Sequence, residues 1–288
     1  MPVDGVVRFS VALVATDRGA RISDIARDVE GLGLDGLWIP DHTHIPTSRQ
    51  TPFPLGGELP DRYRRNLETL TCVATAAAVT SRIRIGTGVL LTALRDPIVT
   101  AKALATIDHQ SGGRLAVGVG YGWNVEEMRD HGVDPRTRRA RTRDHVLAMQ
   151  RLWEDEVASY AGRFATFAPS WSWPKPVQQP LPILVGGAPT PVVFQHISEF
   201  GTGWLPVGGR GLAGAVRRLR DCVAGAGRDP QALEIVPFTS AMADHDKVDA
   251  LQAAGATEIA FDISADDEAR TRRALDRIAS LAADRRTP

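Results

Sequence analysis

Cysteine is nearly absent from this chain. Only Cys72 and Cys222 occur in 288 residues, far apart and outside any CxxC spacing. A chain of this length needs no disulfide framework, and a reducing cytoplasm is the expected compartment. Neither sign of charge is in excess: 34 basic side chains face 34 acidic ones, so no positive field exists to collect nucleic acid or an anionic membrane. Apolar runs are short as well. None approaches the roughly 18 residues of a membrane-spanning helix, and the N-terminal stretch around Arg8 alternates like a strand, without the leader and cleavage pattern of a signal peptide. Lysine is scarce: Lys102 falls in a helical stretch, Lys175 in a proline-rich loop and Lys247 beyond the seventh strand. None projects from a strand end, where a Schiff-base aldolase would need it.

What the chain has is globular composition, 43% hydrophobic and 24% charged, with enough apolar material for a large core. Eight β-branched or apolar runs recur with helical stretches between them: Arg8–Val14, Gly36–Ile39, Ile83–Gly88, Leu115–Gly120, Ile183–Gly186, Trp204–Val207, Leu233–Phe238 and Glu258–Ile263. Repeated βα units imply a parallel sheet, and eight of them close into a (β/α)8 TIM barrel, here one domain over residues 1–288. Amphipathic spacing predicts helices at Ile22–Leu32, Leu67–Val79, Ile98–Ile107, Arg138–Trp153, Pro191–Phe200, Leu212–Val223 and Asp267–Ala282. Two segments exceed ordinary connectors. His42–Tyr63 follows the second strand, and Ala161–Pro182, with Trp171 and Trp173, precedes the fifth. Loops of that length in a compact barrel read as functional lids.

Barrel chemistry sits just past the strand ends. After the second run comes Pro40-Asp41-His42-Thr43-His44, where a histidine donates a hydrogen bond to a cofactor or moves a proton near neutral pH; the competing reading is a loop histidine held by Asp41. The His42/His44 pair would open a metal site in some hydrolytic barrels. The fifth and sixth runs, ending in Val185-Gly186-Gly187 and Leu205-Pro206-Val207, supply no companion histidines, and Asp262 at the eighth stands alone; no metal is expected. The third and fourth runs end in Gly86-Thr87-Gly88-Val89-Leu90 and Gly118-Val119-Gly120-Tyr121-Gly122-Trp123-Asn124. Glycine there permits close approach of a flat ligand, or is simply tight packing. After the fifth run, Gly186-Gly187-Ala188-Pro189-Thr190-Pro191 enters a helix, and the free amides of such a turn favour an anion. Five arginines between Arg136 and Arg143 either add to that field or line a solvated helix face.

Taken together, Pro40-Asp41-His42 and the three glycine strings resemble the bacterial luciferase-like family, and within it the branch that uses the deazaflavin coenzyme F420. The resemblance runs from the first strand to about Pro206. It implies that Asp41 and His42 face the cofactor ring as the catalytic residues, and that Gly88–Val89 is a non-prolyl cis peptide bulging behind the ring. It further implies that Gly120, Tyr121, Gly122 and Asn124 line the cofactor pocket and that Gly186, Gly187 and Ala188 hold its phosphate. In the sugar-phosphate dehydrogenases of the branch a glutamate stands where this chain has Trp123, so with Trp171 and Trp173 a more apolar substrate pocket is expected. The expected function is hydride transfer between F420 and a small organic substrate. The rivals are an FMN-dependent monooxygenase on the same barrel and a flavin-binding protein without turnover. The resemblance also implies a homodimer, whose interface the sequence does not show.

Overall fold

The structure, a computed structural model, describes residues 7–207 and 209–286. Its strands and helices, in chain order, are β1 (Arg8–Val14), α1 (Ile22–Gly31), β2 (Gly36–Ile39), α2 (Thr69–Val79), β3 (Arg84–Leu90), α3 (Pro97–Ser111), β4 (Leu115–Val119), α4 (Val125–Asp130), α5 (Arg138–Glu154), β5 (Ala158–Ala161), β6 (Thr166–Ser170), β7 (Ile183–Gly186), α6 (Pro191–Phe200), β8 (Gly203–Leu205), α7 (Leu212–Gly225), β9 (Glu234–Ile235), β10 (Phe238–Ser240), α8 (His245–Ala253), β11 (Glu258–Ser264) and α9 (Glu268–Arg286). Nine strands form one sheet in the order β10-β11-β1-β2-β3-β4-β7-β8-β9, with every pairing parallel. The two ends of that order belong to a single run of chain. β9 bonds back to β8, β10 bonds forward to β11, and Val207 bridges to Phe238. The sheet therefore curls into the expected α/β barrel, and the seventh strand read from the sequence is two short ones. Pro237 is the reason: it lacks the N–H that an unbroken ladder needs, while its carbonyl still accepts from Ala260 N–H at 3.0 Å.

Side chains alternate across the barrel wall as strand geometry demands. Ala12, Trp38, Ala116, Leu184, Leu205, Val236 and Ala260 fill the interior, whereas their neighbours Val11, Leu37, Val117, Val185, Ile235 and Ile259 join the larger core beneath the helices. Helix starts follow local chemistry. Asp96 caps α3 by accepting from Val99 N–H at 2.9 Å, with Pro97 at the first helical position, and Thr190 and Pro191 play the same parts for α6. The N-terminal end of the barrel is closed by a buried ion cluster. Glu258 accepts from Ser10 Oγ (2.6 Å), Trp38 Nε1 (2.7 Å) and Arg8 Nε (3.1 Å), and Arg84 reaches both Glu258 (3.1 Å) and Glu234 (2.9 Å).

The segment Ala161–Pro182 differs from the expected lid. It contains the antiparallel hairpin strand β6, paired with β5, and then runs along the outside of α3 and beneath β4. Lys175 Nζ binds the last carbonyls of α5, at Leu152 (2.7 Å) and Asp155; Lys102 of α3 holds the Trp173 carbonyl; Gln178 binds Asp108 (2.7 Å) and the Leu115 carbonyl (2.8 Å). These anchors mark the outer wall and the N-terminal end of the barrel. Trp171 and Trp173, 77% and 58% exposed, lie on this outer segment, whereas the Trp123 ring packs against His42, Phe53 and Arg49.

Candidate active site at the barrel mouth

The bond Gly88–Val89 is cis, as the resemblance implied. The register between β3 and β4 shifts there, from Thr87↔Val117 to Leu90↔Val119, so the bulge lies at the mouth. Val89 lies between two strand ends that have no side chain. A Cβ on Gly120 would sit 2.2 Å from Val89 Cγ2, and one on Gly186 would sit 2.6 Å from Val89 Cγ1. A side chain at either position would displace the Val89 side chain. Gly122, at φ +71°, then turns the chain out of β4 into α4, a conformation glycine adopts at no steric cost.

Replacing Gly120 by alanine should therefore push Val89 out of place. Expected results are a loss of about 1–3 kcal/mol in stability and at least about tenfold weaker binding of a flat cofactor, equivalent to about 1.4 kcal/mol. Chemical denaturation and a fluorescence titration measure the two. Gly214→Ala on α7, where the added methyl meets nothing closer than 3.7 Å, is the control and should leave binding unchanged.

Tyr121 and Gly187 stand on the next rim positions. Tyr121 Oη lies 2.8 Å from His196 Nδ1 on α6, and Gly187 is close enough that an added Cβ would touch the Tyr121 ring at 3.7 Å. Burial pushes the Tyr121 phenol up, against the opposing charge of Arg139, and burial pushes His196 down. Arg139 lies 5.9 Å over the Tyr121 ring. The Gly187 carbonyl accepts from Trp204 Nε1 at 2.9 Å and its N–H faces the Leu205 carbonyl at 3.3 Å.

Asp41 has a different part from the expected one. Its carboxylate accepts from Leu91 N–H (3.0 Å), Thr69 Oγ1 (3.0 Å) and twice from Arg95 (3.0 and 2.8 Å). It ties the end of β2 to the segment after the bulge, a brace with no oxygen free for proton chemistry. His42 is the group that faces the rim. It is 8% exposed, with Glu127 Oε2 2.7 Å from Nδ1 and Trp123 Nε1 3.1 Å from Nε2. His44 turns away to Asp130 at 3.0 Å, and among the described residues no group of three or more His, Cys, Asp or Glu side chains is placed to hold a metal.

The segment after β2 closes over this face. Phe53, Tyr63, Trp123 and His42 form a ring of edge-on aromatic contacts with centroids 5.1–5.9 Å apart, and Arg49 and Arg62 lie 5.6 Å over Trp123 and Tyr63. Arg62 also faces Asp262 of β11 at 3.6 Å. The segment is pinned to α4: Thr51 donates its N–H (2.8 Å) and its hydroxyl to Glu126, and Thr43 donates its N–H (2.9 Å) to Glu127. Burial works to raise the Glu126 carboxyl, but the bonds from Thr51 outweigh it and bring it down to about 2. Glu127, Arg95, Phe53, Tyr63 and His196 were not found by sequence reasoning. For Glu127 a signal existed. Asn124-Val125-Glu126-Glu127 has the spacing of a helix-capping box, yet the Glu127 side chain goes to His42 instead of back to the cap.

Asn124 caps α4 through Oδ1, 3.5 Å from Glu127 N. Its Nδ2, on a residue 1% exposed, has no protein partner. A buried amide donor without an acceptor is costly unless a ligand supplies one, so the rim fits a cofactor carrying a carbonyl or comparable acceptor.

A family model described as luciferase-like monooxygenase matches residues 6–287. An uncharacterized protein of Mycobacterium tuberculosis strain H37Rv is 43% identical over 274 residues, 91% of this chain and 95% of that one. An F420-dependent glucose-6-phosphate dehydrogenase of Kineococcus radiotolerans is 31% identical over 195 residues, 67% of this chain and 53% of the relative. A solved structure of a coenzyme F420 dependent tetrahydromethanopterin reductase from Methanopyrus kandleri aligns with TM-score 0.74 at 17% identity, over 96% of this chain and 99% of that one, a likeness of fold. Since the family model covers nearly the whole chain and the glycine strings fall at the strand ends that build the mouth, the chain belongs to the luciferase-like monooxygenase family and is an oxidoreductase.

Proposed function

We propose that the chain uses the deazaflavin coenzyme F420 to pass hydride to or from a small organic substrate at the barrel mouth. The observation that carries this reading is the buried, unpartnered Asn124 Nδ2 at a mouth where Val89 packs between Gly120 and Gly186, with His42 and Tyr121 around the same opening. The relative named as F420-dependent supports the choice of coenzyme.

When bound, F420 supplies the hydride donor or acceptor. The protein's share is binding, orientation and control of charge. Val89 would back the flat ring, Asn124 Nδ2 would donate to one of its acceptors, and the Ala188 N–H together with the N-terminus of α6 would receive phosphate. His42 Nε2 takes a proton from the reacting group in one direction and returns it in the other. The aromatic ring of Phe53, Tyr63 and Trp123 keeps water from the reacting face. Trp123, in place of an acid, suits a substrate other than a sugar phosphate. No described helix is long and apolar enough to cross a membrane, and both cysteines are free, which suits a reducing cytoplasm.

Equilibrium titration of the purified protein with F420 and with FMN, followed by fluorescence, tests the coenzyme. F420 is expected to bind at least about tenfold tighter, a difference of about 1.4 kcal/mol. Tighter binding of FMN, with oxygen consumed by its reduced form, would overturn the assignment in favour of a monooxygenase.

A further inference from the structure

Glu127 is 1% exposed on a six-residue helix that Asn124 already caps and that Glu126 already ties to the overlying segment. Neither of those tasks needs a second buried carboxylate. Its two oxygens face different partners: Oε1 takes the Thr43 N–H at 2.9 Å and the Thr43 hydroxyl at 3.2 Å, and Oε2 lies 2.7 Å from His42 Nδ1. On the far side of the imidazole, Trp123 Nε1 is 3.1 Å from Nε2. An indole N–H only donates. Nε2 therefore carries the lone pair, Nδ1 carries the proton, and both hydrogen bonds of the ring run in one direction, from Trp123 through His42 to Glu127.

The geometry points to Glu127 as a positioning residue that fixes His42 in the Nδ1–H tautomer, keeping Nε2 a proton acceptor at the barrel mouth, where the Trp123 N–H holds the place of a ligand's donor. The inference rests on His42 as the group that faces the reacting centre. It explains why the position carries a carboxylate and not its isostere. The Thr43 hydroxyl could accept from an NH2, but the Thr43 backbone N–H, the shorter contact, cannot and would be left facing a donor; a glutamine here would therefore turn its oxygen to Thr43 and its NH2 to His42 Nδ1. The imidazole would then have to accept at Nδ1 and hold its proton on Nε2, against the Trp123 N–H. One atom changes and the tautomer inverts.

Nitrogen-15 NMR of imidazole-labelled protein without cofactor reads the tautomer directly, with the His42→Ala spectrum identifying the resonances. Wild type is expected to show His42 protonated on Nδ1, Glu127→Gln to show the proton on Nε2, and Trp123→Phe, which removes the indole donor, to keep the wild-type tautomer. An unchanged tautomer in E127Q, or an inverted one in W123F, would overturn the inference. Oxidation of reduced F420 by cyclohexenone, a generic activated enone, gives the second readout. E127Q should lower kcat about 100-fold with F420 affinity within about threefold of wild type, or 0.7 kcal/mol. Inversion of the tautomer with undiminished kcat would remove His42 from the reaction while leaving the tautomer assignment in place.

Discussion

Replacing His42 by alanine is expected to slow hydride transfer between reduced F420 and an enone about 10²–10⁴-fold, the range a positioned acid or base supplies. The loss should fall on kcat. His42 sits at the end of β2 beside Trp123 and Glu127, whereas the bulge and its two flanking glycines, which set the ring's place, are built from β3, β4 and β7. F420 affinity is therefore expected to stay within about threefold of wild type, or 0.7 kcal/mol. Glu127 keeps its bond from Thr43 N–H in the variant, so folding should survive, as circular dichroism would verify. Stopped-flow measurement of deazaflavin absorbance reads the rate. A variant within a few-fold of wild-type kcat would strip His42 of its assigned part.

The second large effect is on stability, at the opposite end of the barrel. Glu258 is fully buried among Arg8, Arg84, Ser10 and Trp38. Glu258→Ala leaves Arg84, itself largely buried, with Glu234 alone, and leaves the Ser10 hydroxyl and the Trp38 indole without an acceptor. Breaking such a cluster on one side costs about 3–5 kcal/mol, readable by chemical denaturation. Function is touched through Trp38, whose ring runs through the barrel interior past Gly86 and whose Cβ faces Gly88. The pH dependence has a definite sign. Burial raises the Glu258 carboxyl, but Arg84 and Arg8 outweigh it and hold the group below its ordinary value of 4.5. Its stabilisation is thus fully present above that value and is lost as pH falls through the depressed one. The variant's stability should fall less steeply in acid than the wild type's; a loss under about 1 kcal/mol at neutral pH would contradict the cluster's role.

Much of the barrel is legible in the sequence because its strands are buried on both faces and read as short apolar runs. The long helices carry their own periodicity. α4 and α8 escape that test, the first because it is six residues long and the second because only Val248 and Leu251 are buried along it. The hairpin strand β6 reads as loop because nothing along it is buried. The glycines at the mouth are legible for a physical reason, since a residue without a side chain at a strand end marks a close approach. The partner of His42 is not. Glu127 lies 85 residues away, and only the adjacency of β2, β3 and β4 brings the two together. Trp171 is 77% exposed on a segment anchored to α3 and α5, a placement its aromatic character alone does not reveal.

On the proposed function, the turns after β2, β3, β4 and β7 surround one flat redox ring. A crystal structure of the protein with F420 tests it most directly. The ring is expected against Val89, with Asn124 Nδ2 bonded to the cofactor, His42 Nε2 facing the reacting side, and phosphate at Ala188 and the start of α6. A ring bound elsewhere, or lying in the mouth with Val89 and His42 both out of contact, would contradict it.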